Sequence, residues 1–417
     1  MSTPEVTADI ESFRLRARTW LAENMPREVD GGFGIADAKR WPRARELQRI
    51  LFDGGYAGLC FPKEYAGQGL SLAHQRAFDE EVAGYEMPLT LNVPTFGIIA
   101  ATLLDFGTEA QKKRYLPPIL SGDEIWVQLL SEPTGGSDLA SVMTRATLDG
   151  DAFVLSGSKV WSSGAYAADY GICVVRTNWD ALKHDGISVL IVKMDQPGVT
   201  VERIRGVAGD DEFCQEFFDD VRIPVENLLG PVDGGWTVVR GLLGHERNSM
   251  GGASPYVSGE ERVGPSRDDD ILNLALRQGL AGDDRVRQLV AEAHVLNLVQ
   301  DQTSLRVTGA MSRGELVPTA GAILRLMGAR HSVRRFDIAM EILASETGVW
   351  RVDDPDGGVV GRRYLARQGS ELGGGSTEIQ RNIISERILG MPREPAADRG
   401  VPFNQVRRNA MPTKSHG

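Results

Sequence analysis

The spacing of apolar residues changes twice along this chain, and that change restricts its fold more than any single motif does. From residue 6 to about 125 apolar residues recur at helical intervals, with Phe13, Ala17, Trp20 and Leu21 on one stripe and Leu47, Ile50 and Leu51 on another. From 126 to 235 the texture becomes short β-branched runs, at 125–130, 153–155, 172–175, 187–192 and Phe217-Phe218, broken by turn residues. These runs follow one another too closely for helices to fit between them, which favours an antiparallel barrel or sandwich over a parallel α/β sheet. After Gly234-Gly235 the helical period returns through 236–250, 286–307, 320–345 and 377–389, the pattern of a bundle. The expected fold class is therefore α+β: an N-terminal helical domain over 1–125, a central antiparallel β barrel or sandwich over 126–235, a C-terminal helical bundle over 236–392 and a mobile tail over 393–417.

Turn clusters at Asp30-Gly31-Gly32, Asp53-Gly54-Gly55 and Ala66-Gly67-Gln68-Gly69 divide the first domain, and Pro117-Pro118 is expected to end a helix around 112–116. The Gly-, Ser- and Pro-rich stretch 251–270 reads as a loop interrupting the bundle. A chain of 417 residues exceeds what one core usually supports, in keeping with several domains.

Lysine and arginine total 46 against 57 acidic residues, a net charge of −11 that argues against nucleic acid or an anionic membrane as the main partner. Cys60, Cys173 and Cys214 are odd in number, far apart and without CxxC spacing, so they read as reduced thiols of a cytoplasmic protein. The charged N-terminus and the lack of ~18 consecutive apolar residues predict neither a leader nor a membrane span. No cluster of His, Cys and carboxylates has metal-ligand spacing.

Four segments carry candidate chemistry. The run SEPTGGSD at 131–138 follows an apolar strand and offers backbone N–H and hydroxyl groups to a polar ligand, although it serves equally as a plain turn. In KVWSS at 159–163 an indole and two hydroxyls can flank a flat aromatic ring; the alternative is a core tryptophan with surface serines. GGGSTEIQ at 373–380 is a glycine turn entering a helix with a capping box of Thr377 and Gln380, a start that suits phosphate or pyrophosphate. Finally, Glu246 shares a helical stripe with Val239, Leu242, Leu243 and Met250. Its carboxylate then faces apolar surroundings, which raises its pKa and suits it to general-base work; the competing arrangement is an ion pair with a basic residue from another helix. His245 lies off that stripe and reads as a hydrogen-bonding or surface residue, and His294 and His331 as structural ones.

In order, spacing and composition these segments resemble the acyl-CoA dehydrogenase family over residues 6–392. The resemblance is carried by IWVQLLSEPTGGSDLAS (125–141), GSKVWSS (157–163), FFDDVRIPVENLL (217–229) and GGSTEIQRNIISERILGMP (374–392). It implies a helical domain, a β domain and a C-terminal four-helix domain, bound FAD, and assembly as a homo- or hetero-oligomer built as a dimer of dimers. Carried over by motif, Ser131 corresponds to a hydroxyl near the flavin pyrimidine edge, Trp161 lies against the isoalloxazine, and Ser163 bonds flavin N5. Ser376 and Glu378 match positions that touch the adenosine part of FAD. Ser137 matches a contact to FAD phosphate or the pantetheine arm, and Arg247 an arginine beside the CoA site.

The family's base in many members, the Glu of a Tyr-Glu-Gly-Thr segment, aligns with Gly374, which cannot abstract a proton. A second branch, including isovaleryl-CoA dehydrogenases, places its base on the helix after the β domain directly before an Arg, and Glu246-Arg247 fits that place. The reaction implied is removal of the α-proton by Glu246 with hydride transfer from the β-carbon to flavin N5, electrons then passing to an electron-transferring flavoprotein. Glycines at 373–375, where relatives carry bulkier residues, imply extra room for a branched or polycyclic acyl group. The cross-subunit FAD segments of the family are altered around 276–279 and 342–346. That departure favours one alternative, a catalytically silent partner subunit of a heteromer; a separate alternative is a flavin monooxygenase or oxidase on the same fold.

Overall fold

The computed structural model describes residues 3–27, 40–250, 254–259, 270–343 and 357–406. The turn expected at Asp30-Gly31-Gly32 lies outside them, as does most of the stretch 251–270. The N-terminal part holds helices α1 (Thr3–Asn24), α2 (Arg40–Asp53), α3 (Leu72–Asp79), α4 (Ala101–Phe106) and α5 (Glu109–Leu120). Strands β1 (Trp126–Leu129), β2 (Arg145–Asp149), β3 (Ala152–Ser163), β4 (Tyr170–Arg176), β5 (Ile187–Lys193), β6 (Val199–Arg203) and β7 (Phe213–Pro224) form one sheet. Helices α6 (Gly235–Met250), α7 (Asp270–Arg277), α8 (Asp284–Ser312), α9 (Gly321–Leu343), α10 (Gly357–Ala366) and α11 (Thr377–Ile383) follow.

The expected order of helices, strands and helices is what the chain adopts. Most of the sheet is antiparallel, β3 lying between β2 and β7, with β6 on β7 and β5 on β4. The exceptions are β1, parallel to β4 from Trp126↔Tyr170 to Leu129↔Cys173, and a single parallel pairing of β2 with β4. Parallel neighbours need a long connection, and the excursion through β2 and β3 supplies it. Both faces of β4 and β5 are buried, so these strands read as continuous apolar runs. Ile172, Val174, Val189 and Ile191 face a core shared with the N-terminal helices and with Val238, Val239 and Leu242 of α6. Their neighbours Cys173, Val175, Leu190 and Val192 face a second core inside the curled sheet.

Helix α5 runs through Pro117 and Pro118 instead of ending before them. The prolines fall in its last turn, where each forgoes a bond to the carbonyl four residues back, and the helix continues because Leu116, Ile119 and Leu120 are fully buried there. Just before α4 the chain makes a π-helical stretch, Asn92–Ala100, and α6 approaches it closely: a Cβ at Gly97 would lie 2.3 Å from Ser249 Oγ. The span Leu89–Phe106 is long and apolar enough to cross a membrane by length and composition, with mean hydropathy 1.5, yet 61% of it is buried inside the protein. It is the central core helix of the N-terminal part.

Among the described ion pairs, one in the β domain is fully buried. Lys159 Nζ on β3 donates to Glu132 Oε1 at 2.9 Å and to the Leu130 carbonyl at 3.0 Å. Glu132 also accepts from the backbone N–H groups of Met143 and Thr144 at 2.6 and 2.9 Å. Burial raises the Glu132 carboxyl, but the Lys159 charge and these hydrogen bonds outweigh it and hold the group below its ordinary range.

Beyond Pro392 the described chain is not free of the body of the protein. Phe403 is 1% exposed, its ring 3.7 Å from the Arg176 guanidinium and 5.5 Å from the Trp179 ring. The backbone N–H groups of Phe403 and Asn404 donate to Ala181 and Trp179, and Asp398 pairs with Lys183. The expected mobile tail is thus, up to Val406, a strap on the loop between β4 and β5, because one buried aromatic anchors an otherwise polar segment; 407–417 lie outside the described residues.

Replacing Lys159 by Met leaves Glu132 buried without its cation. The expected loss is about 3–5 kcal/mol in urea unfolding at pH 7. The loss should shrink as pH falls through the Glu132 range, since a carboxyl held low contributes stability only while it is ionised.

Candidate active site

Two groups of residues carry the candidate chemistry. The first is on the β domain. Trp161 sits in a register break of β3, between Val160↔Gln215 and Ser162↔Cys214, with φ of +68°. A left-handed backbone is strained for a bulky side chain and costs roughly 1–3 kcal/mol. The indole is nevertheless 59% exposed, packed only edge-on against Phe213 at 5.9 Å, so it is neither the core tryptophan of the alternative reading nor a residue chosen for stability. The Ser131 carbonyl accepts from Val160 N–H at 2.9 Å, which places the loop after β1 beside the indole. The hydroxyls of Ser131, Ser137 and Ser163 make no hydrogen bond to a described residue. An exposed flat ring flanked by unengaged hydroxyls fits the isoalloxazine of a flavin.

Within that loop, Glu132 and Gly135 close a turn by two backbone hydrogen bonds of 3.0 and 2.9 Å. Beyond it, Asp138 accepts from Lys183, so the loop is fastened to the β4–β5 connection as well.

The second group surrounds the end of α6. Along the stripe that contains Glu246, Val239 and Leu242 are buried, Leu243 and Glu246 are half-buried and Met250 is 45% exposed, so Glu246 stands where the core gives way. Its carboxylate has neither a hydrogen bond nor an ion pair with a described residue. Burial raises its pKa, while the charges of Arg247 and Arg325 pull it back. Half-buried Arg247 also lacks a hydrogen-bonding partner among the described residues, leaving its guanidinium free for an anionic ligand. His245 instead pairs with Asp105 at 2.8 Å.

Arg325 on α9 was not legible as a site residue, since one arginine on an amphipathic helix has no signature. It is 8% exposed and donates to the carbonyls of Ser370, at 2.6 Å, and Gly373. It thereby ties the glycine turn to α9. The extra room expected at 373–375 is absent: at Gly374, with φ of +67°, a Cβ would meet Met250 Sδ at 2.6 Å and Arg325 Nε at 3.1 Å. Neighbouring side chains have taken the space the glycines leave.

The helix start differs from the expected capping box as well. Ser376, not Thr377, is the cap, its Oγ accepting from Ile379 N–H at 3.3 Å. Gln380 turns back to donate to the Gly374 and Gly375 carbonyls at 3.0 and 3.1 Å, because two successive left-handed glycines expose those oxygens. Glu378 is exposed and accepts from Thr377 and Arg381. Glu246, Arg247, Arg325 and the turn leading to Ser376 therefore form one neighbourhood, and Ser131, Trp161 and Ser163 another. Among the described residues no hydrogen bond joins the two. The altered segments at 276–279 and 342–346 fall at the ends of α7 and α9, and 344–346 lie outside the described residues.

Trp161→Asn puts a residue tolerant of the left-handed region at the register break. Its unfolding free energy is expected within about 1 kcal/mol of the parent, because the lost ring is mostly exposed and strain is relieved, while flavin retention on gel filtration falls. By contrast, Gly374→Ala is expected to lose about 1–3 kcal/mol in the same measurement, from positive φ and the contact with Met250.

Comparison with known proteins matches all three parts of the chain. The family profiles for the acyl-CoA dehydrogenase N-terminal, middle and C-terminal domains match residues 7–123, 128–221 and 233–389. Acyl-CoA dehydrogenase IpdE1 of Mycobacterium tuberculosis is 36% identical over 394 residues, covering 93% of this chain and 99% of that protein. Among solved structures, the Tcur3481-Tcur3483 steroid ACAD is similar with TM-score 0.75 and 31% identity, over 93% of this chain and 98% of that one. The ChsE4-ChsE5 complex from Mycobacterium tuberculosis is similar with TM-score 0.70 and 29% identity, over 94% and 99%. The chain belongs to the acyl-CoA dehydrogenase family of oxidoreductases.

Proposed function

We propose that this chain is an FAD-dependent enzyme that converts an acyl-CoA thioester to its 2-enoyl-CoA, with Glu246 as the base. The observation that carries the assignment is a half-buried carboxylate at the edge of the core, directly before an arginine, neither of them paired with any described residue. Desolvation brings its pKa up toward the working range of a general base, and the nearby positive charges of Arg247 and Arg325 keep its ionised form accessible. Arg247 supplies an open guanidinium for the anionic CoA portion. Ser131, Trp161 and Ser163 hold the isoalloxazine, Ser376 and Glu378 approach its adenosine part, and Ser137 serves the phosphate or pantetheine region. When bound, FAD supplies the hydride acceptor.

The likeness to a steroid ACAD puts polycyclic acyl-CoA esters at the head of the substrate panel. Likeness to the ChsE4-ChsE5 complex favours a second reading for assembly, in which an unlike chain completes the site. An electron-transferring flavoprotein as acceptor and a cytoplasmic location, in keeping with three free thiols, complete the proposal.

Anaerobic titration of the purified protein with acyl-CoA esters, followed by flavin absorbance, tests it. One ester class is expected to bleach the flavin, and Glu246→Gln is expected to slow bleaching by roughly a hundredfold or more with FAD still bound. Since the base acts ionised, the parent's bleaching rate should rise with pH through the raised Glu246 pKa and then level off; the variant should lack that rise. Near-normal bleaching by Glu246→Gln would remove the assignment. A colourless chain that gains flavin only with a second subunit would support the heteromeric reading.

A further inference from the structure

Behind the indole face lies a carboxyl group that the proton transfer does not use. Glu216 on β7 is fully buried, and its Oε2 accepts from Ser162 Oγ at 2.9 Å. Its other oxygen, Oε1, has no hydrogen-bond partner among the described residues. Ser162 is itself 4% exposed and stands between Trp161 and Ser163 at the register break of β3. In such a break one strand carries an extra residue that the partner cannot pair, and the local twist re-aims side chains. The Ser162–Glu216 hydrogen bond therefore ties down the one residue of β3 that lies between the two presented ones.

The charges facing Glu216 come from every neighbouring strand. Lys159 of β3 stands opposite it in register but is engaged by Glu132. Cys173 of β4 and Cys214 of β7 are buried thiols whose pKa values are raised chiefly by burial and further by the Glu216 charge. Arg203 of β6, paired in register with Cys214, is directed to Asp211. An ionised Glu216 would thus add a second buried negative charge to a region with one buried cation already paired.

We propose that Glu216 is a positioning residue: bonded to Ser162 from the fully buried face of β7, it fixes the break in β3 that presents Trp161 and Ser163 to the flavin. The assignment rests on the reading of Trp161 and Ser163 as the flavin-facing residues. Burial pushes the Glu216 carboxyl up to about 7, against the Ser162 hydrogen bond and the Lys159 charge. A carboxyl raised in the folded state binds more protons folded than unfolded, so stability falls as pH rises from about 4.5 through about 7. The setting of the indole changes over the upper part of that window.

The test uses the full chain and three variants, Glu216→Gln, Glu216→Val and Ser162→Ala, with two readouts. One is the Trp161 contribution to fluorescence, taken as the difference from Trp161→Phe in each background; the other is the Kd for FAD. The parent's Trp161 emission is expected to titrate with a midpoint near 7 without FAD. Glu216→Gln, which keeps a hydrogen-bond acceptor but cannot ionise, should abolish the titration, hold the low-pH spectrum and leave the Kd within about twofold. Glu216→Val and Ser162→Ala should shift the emission and weaken FAD by about tenfold. If both fold and keep the parent's emission and Kd, the positioning role is overturned; if Glu216→Val does not fold, Ser162→Ala decides, since it deletes one hydroxyl. Should the parent bind no FAD either alone or with a second subunit, the flavin reading fails, and the emission of the flavin-free protein alone decides whether Glu216 sets the indole.

Discussion

Lys159 and Glu132 form a bond that three pieces of chain share. The lysine belongs to β3, the glutamate to the loop after β1, and the glutamate also receives two backbone N–H groups from the segment entering β2. A buried ion pair offers little net stability over apolar packing, because desolvating two charges costs about as much as their attraction returns. What it provides is register: only one arrangement satisfies four polar groups at once. That arrangement sets Ser131 and Val160 next to each other, and with them the loop and the indole that we propose face the flavin.

The other half of the site depends on where a core stops. Helix α6 enters the shared core with Val238, Val239 and Leu242, and four residues further on the same stripe reaches Glu246 at the boundary with solvent. Full burial would neutralise the carboxylate, and full exposure would leave it an ordinary acid. Arg325 matters at that boundary twice, since its charge acts on Glu246 while its donors hold the glycine turn.

The helical and strand territories were legible because period is a property of many residues at once, and no single substitution erases it. The placement of single residues was legible where a motif surrounds them, as for the exposed Trp161 and the half-buried Glu246. Where local chemistry is degenerate, it was not. Ser376 and Thr377 are both good caps, and the choice depended on where two left-handed glycines end. Room at Gly374 is a property of Met250 and Arg325, distant in sequence. Pro117 and Pro118 signal a helix end, yet burial of their neighbours carried the helix past them. Glu216 did have a signal: it alternates with Cys214 and Phe218 on the inward face of β7, where a carboxylate is out of place.

Lys183 is shared between two acidic residues of different origin, Asp138 in the loop that carries Ser131 and Ser137, and Asp398 in the C-terminal strap. An ammonium group held by two carboxylates transmits a change at either one to the other, by thermodynamic reciprocity. Anything that draws Asp138 toward a ligand leaves Lys183 to Asp398 and the strap alone, and a lifted strap leaves it to the loop alone. The strap is thereby an observer of the loop after β1, placed where a spectroscopic label on it reports what happens at Asp138.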